Sequence, residues 1–60
     1  MHATEVQEIA RRMFASQGIK AIAEAAQNAV ALERQGDKDQ ARNWRRIEAA
    51  LQQMGGPRQG

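Results

Sequence analysis

Apolar positions recur at spacings of three and four along most of the 60-residue chain, the period of amphipathic helices. In the first such stretch, Val6, Ile9, Ala10, Met13 and Phe14 share one face, whereas Gln7, Glu8, Arg11 and Arg12 lie outside it. Thr4 followed three residues later by Gln7 has the form of a capping box, so helix one is predicted from about Glu5 to Gln17. Gly18 is the natural stop because glycine reaches left-handed backbone cheaply. An isolated glycine costs only about 1 kcal/mol inside a helix, so one long bent helix through Gly18 is the alternative.

Helix two is predicted from about Ile19 to Gln35, a run without proline or internal glycine and rich in alanine. At about 100° per residue, Ile19, Ile22, Ala23, Ala26, Ala29 and Val30 form its main stripe. Ala21, Ala25 and Leu32 widen that stripe toward a second side, an arc suited to a helix with two neighbours. In "QGDKDQ", Gly36 fits the position after a helix C-cap, Asp37 fits an N-cap, and Gln40 completes a second capping box. So short a connection predicts an antiparallel helical hairpin. Helix three then runs to about Met54, with Ala41, Trp44, Ile47, Leu51 and Met54 on one stripe, until "GGPRQG" ends it. Residues 1–56 are expected to form one helical domain and 57–60 a flexible tail.

Length limits what such a pattern can hold together. A chain this short buries only about 60% of the surface its unfolded form exposes, and this one has about a dozen large apolar side chains. It has no cysteine for a disulfide, and its one histidine, His2, cannot supply the usual structural zinc sets. The expected fold is therefore an all-α three-helix bundle with a central antiparallel hairpin, completed by homodimerisation. No window reaches the roughly 18 consecutive apolar residues that cross a bilayer, so no membrane partner is expected. The N-terminus lacks the cationic start and apolar run of a signal peptide and reads as mature from Met1, and the lack of cysteine favours the cytoplasm.

Nine basic and seven acidic residues leave a net charge of +2, which permits an anionic partner without demanding one. On helix three, Trp44 points with Ile47 and Leu51, whereas Lys38, Arg42, Arg45 and Arg46 centre roughly on the opposite side. Tryptophan among the apolar residues is expected to anchor a core or interface rather than stack on bases. The four cations form either a solvated face, with Asp39 interspersed, or a stripe that tracks phosphates. Arg11 and Arg12 extend that stripe only if helix one packs alongside helix three. Glu33 is expected to pair with an arginine across the hairpin, and Glu48 with Arg45 or a neighbouring helix.

Chemistry has few candidates. With one serine, Ser16, one histidine at the terminus, and no tyrosine or cysteine, no triad, phosphate loop or nucleotide fingerprint can be written. No catalytic residue, cofactor or metal ligand is expected; His2 reads as an untethered terminal residue and Ser16 as a local backbone hydrogen-bonder.

The segment "AVALERQGDKDQA", Ala29 to Ala41, resembles the turn region of a tetratricopeptide repeat, where small residues pack around a Gly-Asp turn. The likeness ends at Ala41, since Trp44, Ile47 and Leu51 follow a different spacing and no second repeat is present. It implies the helical hairpin alone. A longer resemblance is to small uncharacterised alanine-rich helical proteins of alphaproteobacteria. It rests on the alanine-rich helix from Ala21 to Ala31, the Gly36-Asp37 turn, the Trp-Arg-Arg-Ile run from Trp44 to Ile47, and Gly56-Pro57. That resemblance implies a bacterial cytosolic protein and carries over no active site.

Together these readings predict a small non-catalytic protein–protein interaction or regulatory module. Its expected partner or self-association face is Met13, Phe14, Trp44, Ile47 and Leu51, where an amphipathic helix of a protein partner could also dock. The alternative is a weak nucleic-acid-binding accessory protein using Lys38, Arg42, Arg45 and Arg46 as its anionic-partner face.

Overall fold

A computed structural model describes residues 2–55, and among these it contains three helices and no strand. They are α1 (Ala3–Gln17), α2 (Lys20–Gln35) and α3 (Lys38–Gly55), so the all-α expectation holds. The expected tail over 57–60 lies outside the described residues.

Helix α1 begins two residues earlier than predicted, and its cap is not Thr4. His2 sits in extended backbone just ahead of the helix, its N–H donates to Glu5 Oε1 at 3.4 Å, and its carbonyl accepts from Val6 N–H at 3.0 Å. Glu5 outcompetes Gln7 because its negative charge also complements the positive end of the helix dipole. His2 is thus tied to the first turn rather than untethered. At the other end, Gly18 adopts φ 65° and ψ −140°, a region only glycine enters without strain. Helices α1 and α2 are therefore separate, and the single-bent-helix alternative is excluded. Ala21 N–H then donates to Gly18 O and Ile22 N–H to Ile19 O, both at 3.0 Å, a tight three-residue bonding that opens α2.

The second turn has a fuller set of bonds. Gly36, at φ 87° and ψ 7°, closes α2 in a Schellman arrangement: its N–H donates to Glu33 O at 3.1 Å and that of Asp37 to Leu32 O at 2.9 Å. The Asp37 carboxylate meanwhile accepts from Gln40 N–H at 3.2 Å, capping α3 as predicted. The reciprocal half of that box has no donor left, because the Asp37 N–H is already spent on ending α2.

The core joins all three helices. Val6, Ala10, Ala21, Ala25, Ile47, Ala50 and Leu51 form one buried cluster, with Ile9, Met13, Phe14, Ile22, Trp44 and Met54 packed at its edges. Helix α3 is the central element: α2 packs along it most extensively, α1 less so, and α1 touches α2 only lightly. The inward face of α2 differs from the predicted main stripe. Its buried residues are Ala21, Ala25 and Ala29, spaced four apart, whereas Ile19 is 65% exposed and Ala23 is exposed. Alanine's methyl group is too small to hold the axes apart, so the helix turns its alanine line toward its neighbour and leaves its isoleucines and Val30 at the edge or outside.

Candidate interaction surfaces

Three surfaces on this scaffold carry the residues that the sequence singles out. The first is the expected contact set, and the structure does not bring it to one open face. Ile47 and Leu51 have no exposed surface at all, being the largest side chains enclosed in the core. Met13, Phe14 and Trp44 are half-buried against that same core. Ile47 and Leu51 therefore lie inside the chain's own core, in a cluster to which all three helices contribute.

The second surface is the basic side of α3. Arg45 Nε and Nη2 donate to the two carboxylate oxygens of Glu33 on α2, both at 3.3 Å, while Nη1 donates to Glu48 at 3.1 Å. Both expected glutamate pairings thus converge on one arginine. The hydrogen bond to Glu33, followed by that to Glu48, raises the affinity of the Arg45 guanidinium for its proton above the ordinary arginine value. Arg42 lies 3.9 Å from Asp39, both well exposed. Lys38, Arg42 and Arg45 line a shallow groove over Ala41 with Glu33. Arg46 lies elsewhere, beside Gln7, Gln53 and the first turns of α1. Helix α1 does pack alongside α3, the condition set for Arg11 and Arg12, but it is Gln7 that shares the groove with Arg46. The predicted stripe is therefore divided, and its best-placed guanidinium already faces two carboxylates.

The third surface belongs to the broad apolar arc of α2. On the outward side of α2, Ile19 is exposed, Ile22, Ala26 and Val30 are half-buried, and no charged residue interrupts the stripe that Ile19, Ala23, Ala26 and Val30 form at spacings of four, three and four. Beside it, Ala26, Gln27, Val30, Ala31 and Arg34 line an open hollow of about 360 Å³. The periodicity that reveals these residues is the same that reveals a core, so spacing alone could not separate the two sides of the arc. Which side faces inward is decided by side-chain size, through the alanines at 21, 25 and 29. Among the described residues, no helix is long and apolar enough to cross a membrane. Compared with protein-family models, curated proteins and solved structures, the chain matches none of them.

Proposed function

We propose that the chain is a small, non-catalytic protein–protein interaction or regulatory module that works in the cytoplasm as a homodimer, with α2 and α3 running antiparallel as its rigid frame. The observation that carries this reading is the two-sided apolar arc of α2. Its alanine side packs inward, whereas on the other side Ile19 is 65% exposed and Ile22 and Val30 are only half-buried. The core adds support from the opposite direction. Among the described residues six of the nine buried ones are alanines, and only Ile47 and Leu51 are large and fully enclosed, a small store of apolar burial. Sedimentation equilibrium over a wide concentration range tests self-association, with a mass moving from monomer to dimer expected. A monomeric mass throughout, with full helicity, would sink the dimer.

A second reading, a weak nucleic-acid-binding accessory protein, draws on the groove that Lys38, Arg42 and Arg45 share. The engagement of Arg45 by Glu33 and Glu48 weighs against it. This reading expects affinity for single- or double-stranded DNA to fall steeply with salt, and replacement of Arg42, Arg45 and Arg46 by glutamine to abolish it. Unchanged binding would reduce the stripe to solvation.

A further inference from the structure

We infer that the homodimer forms by exchange of α1: the bend at Gly18 straightens, α1 and α2 become one helix, and α1 of each copy covers α3 of the other. This rests on the self-association reading and deepens it by naming the element exchanged.

The hinge is a single residue. Ile19, at φ −62° and ψ −26°, already has helical backbone, so Gly18 alone, at φ 65° and ψ −140°, separates α1 from α2. Nothing is packed against it, since an added Cβ there would meet no atom within 4 Å. Short hinges of this kind invite exchange between copies, because straightening one joint sends a whole element to a neighbour. The continuous helix also completes bonds that the bend interrupts. Neither Ile19 N–H nor Lys20 N–H donates to a backbone carbonyl among the described residues. In a helix running unbroken from Ala3 to Gln35 they reach Ala15 O and Ser16 O, four residues back. Glycine within a helix is only mildly disfavoured.

Helix α1 is also the element most easily given away. It touches α2 lightly and rests chiefly on α3. Among the described residues, the ion pairs and side-chain hydrogen bonds between helices all join α2 to α3, so none ties α1 to its own chain. The α1 of a second copy supplies the same apolar contacts, with Val6 and Ala10 again completing the buried cluster. Without either α1 that cluster is open to water, so the straight form is stable only in pairs. The continuous helix that a single folded chain excludes becomes available to two.

The directions agree. Val6 and Gln7 share a groove with Arg46 and Ala50, and Phe14 meets Gly55 further along both helices, so α1 and α3 run the same way. With α3 turned back on α2, two straightened helices crossing antiparallel near Gly18 lay each α1 along the other copy's α3 in that same direction.

Three measurements decide the matter. Sedimentation of the wild-type chain is expected to show a monomer–dimer equilibrium, and Gly18→Ala to raise its association constant about tenfold or more, because alanine cannot hold the bend and favours the helix. The bend is the mirror image of ordinary extended backbone, so a D-alanine at 18, introduced by synthesis, fits it and should lower the constant instead. The third measurement needs no variant. When equal amounts of isotope-labelled and unlabelled wild-type chains are unfolded and refolded together, nuclear Overhauser contacts are expected between the Phe14 ring of one copy and Gly55 of the other. A wild-type dimer in which Phe14 meets Gly55 only within one chain, or whose association constant is indifferent to the residue at 18, would overturn the exchange while leaving self-association in place. A wild-type monomer at every concentration would overturn both.

Discussion

Arg45 and Glu33, twelve residues apart, face each other across the α2–α3 turn with both carboxylate oxygens accepting from one guanidinium at 3.3 Å. The pairing is bidentate and holds the planar fork in one orientation, which distinguishes it from the single long contact between Arg42 and Asp39. Both partners are nearly half-exposed, so the stabilisation is modest and screened by salt. Glu33→Gln is expected to lower the thermal midpoint slightly at low salt, and the difference from wild type to vanish in molar salt. An equal difference at both ionic strengths would show that packing, not charge, is what the glutamate contributes.

The same cluster makes a prediction about pH. Folding raises the affinity of the Arg45 guanidinium for its proton, so its contribution is fully present below the ordinary arginine range. It is lost only as pH climbs past the raised value. The stability difference between wild type and Arg45→Gln should therefore be flat from about pH 6 to about pH 10. Chemical denaturation at several pH values, followed by Trp44 fluorescence, measures it.

The two turn glycines should respond differently to substitution. Neither position has an atom within 4 Å of an added Cβ, so any loss comes from the backbone alone. Gly18→Ala must hold φ 65° with ψ −140°, outside every region open to alanine, and should cost about 1–3 kcal/mol. Gly36→Ala enters the ordinary left-handed region and should cost about 1–2 kcal/mol. Asparagine should be tolerated at 36 and not at 18. A D-alanine introduced at 18 by chemical synthesis should restore the stability that L-alanine removes.

At the far end of α3, Gly55 lies under the ring of Phe14. A Cβ there would stand 2.5 Å from Phe14 Cε1 and 3.6 Å from a side-chain carbon of Ile19. Gly55→Ala gains up to about 1 kcal/mol of helix propensity, but the ring must shift, at a cost of about 1–3 kcal/mol. Net destabilisation is expected, and it should disappear in a Phe14→Leu background. Additive effects of the two changes would mean that they are not in contact.

Substitutions in the core should separate its two kinds of residue. Leu51→Ala removes one of the two large enclosed side chains and should cost about 2–5 kcal/mol, enough to unfold a chain this small at ordinary temperature. Ala25→Leu should be comparably damaging for the opposite reason, since it wedges α2 away from its neighbours. Ala23→Leu, on the outward side of the same helix, should leave the monomer fold intact. Equal tolerance at 23 and 25 would refute the assignment of the alanine line to the inside.

Helix existence, the Gly36-Asp37 turn and the α3 stripe were legible because each rests on local chemistry: propensity, cap residues and a period of three and four. The start of α1 was not. Two overlapping boxes, His2 with Glu5 and Thr4 with Gln7, would start the helix at different residues, and the negative charge of Glu5 favours the earlier start. Nor could spacing show which side of the α2 arc turns inward, since isoleucine and alanine both count as apolar while demanding different distances between helix axes. The stripe on α3 is likewise visible in one sequence, but how deeply each of its residues is enclosed, Ile47 and Leu51 fully and Trp44 by half, depends on how the three helices settle against one another.

The Gly18 bend has a consequence for the way the molecule opens. At the other connection, one residue joins the helices firmly, Asp37 ending α2 with its amide and starting α3 with its carboxylate, so those two helices share a single mechanical fate. Between α1 and α2 no side chain bridges the joint, and α1 rests chiefly on α3. The α2–α3 pair is therefore expected to behave as one cooperative unit and α1 as a separable leaf, whose amides should exchange with solvent at a lower opening free energy than those at the centre of α3. Ile47 and Leu51 come into reach only when that leaf lifts. Any partner that reads them meets an opened form of the protein, and its affinity is discounted by the rarity of that form.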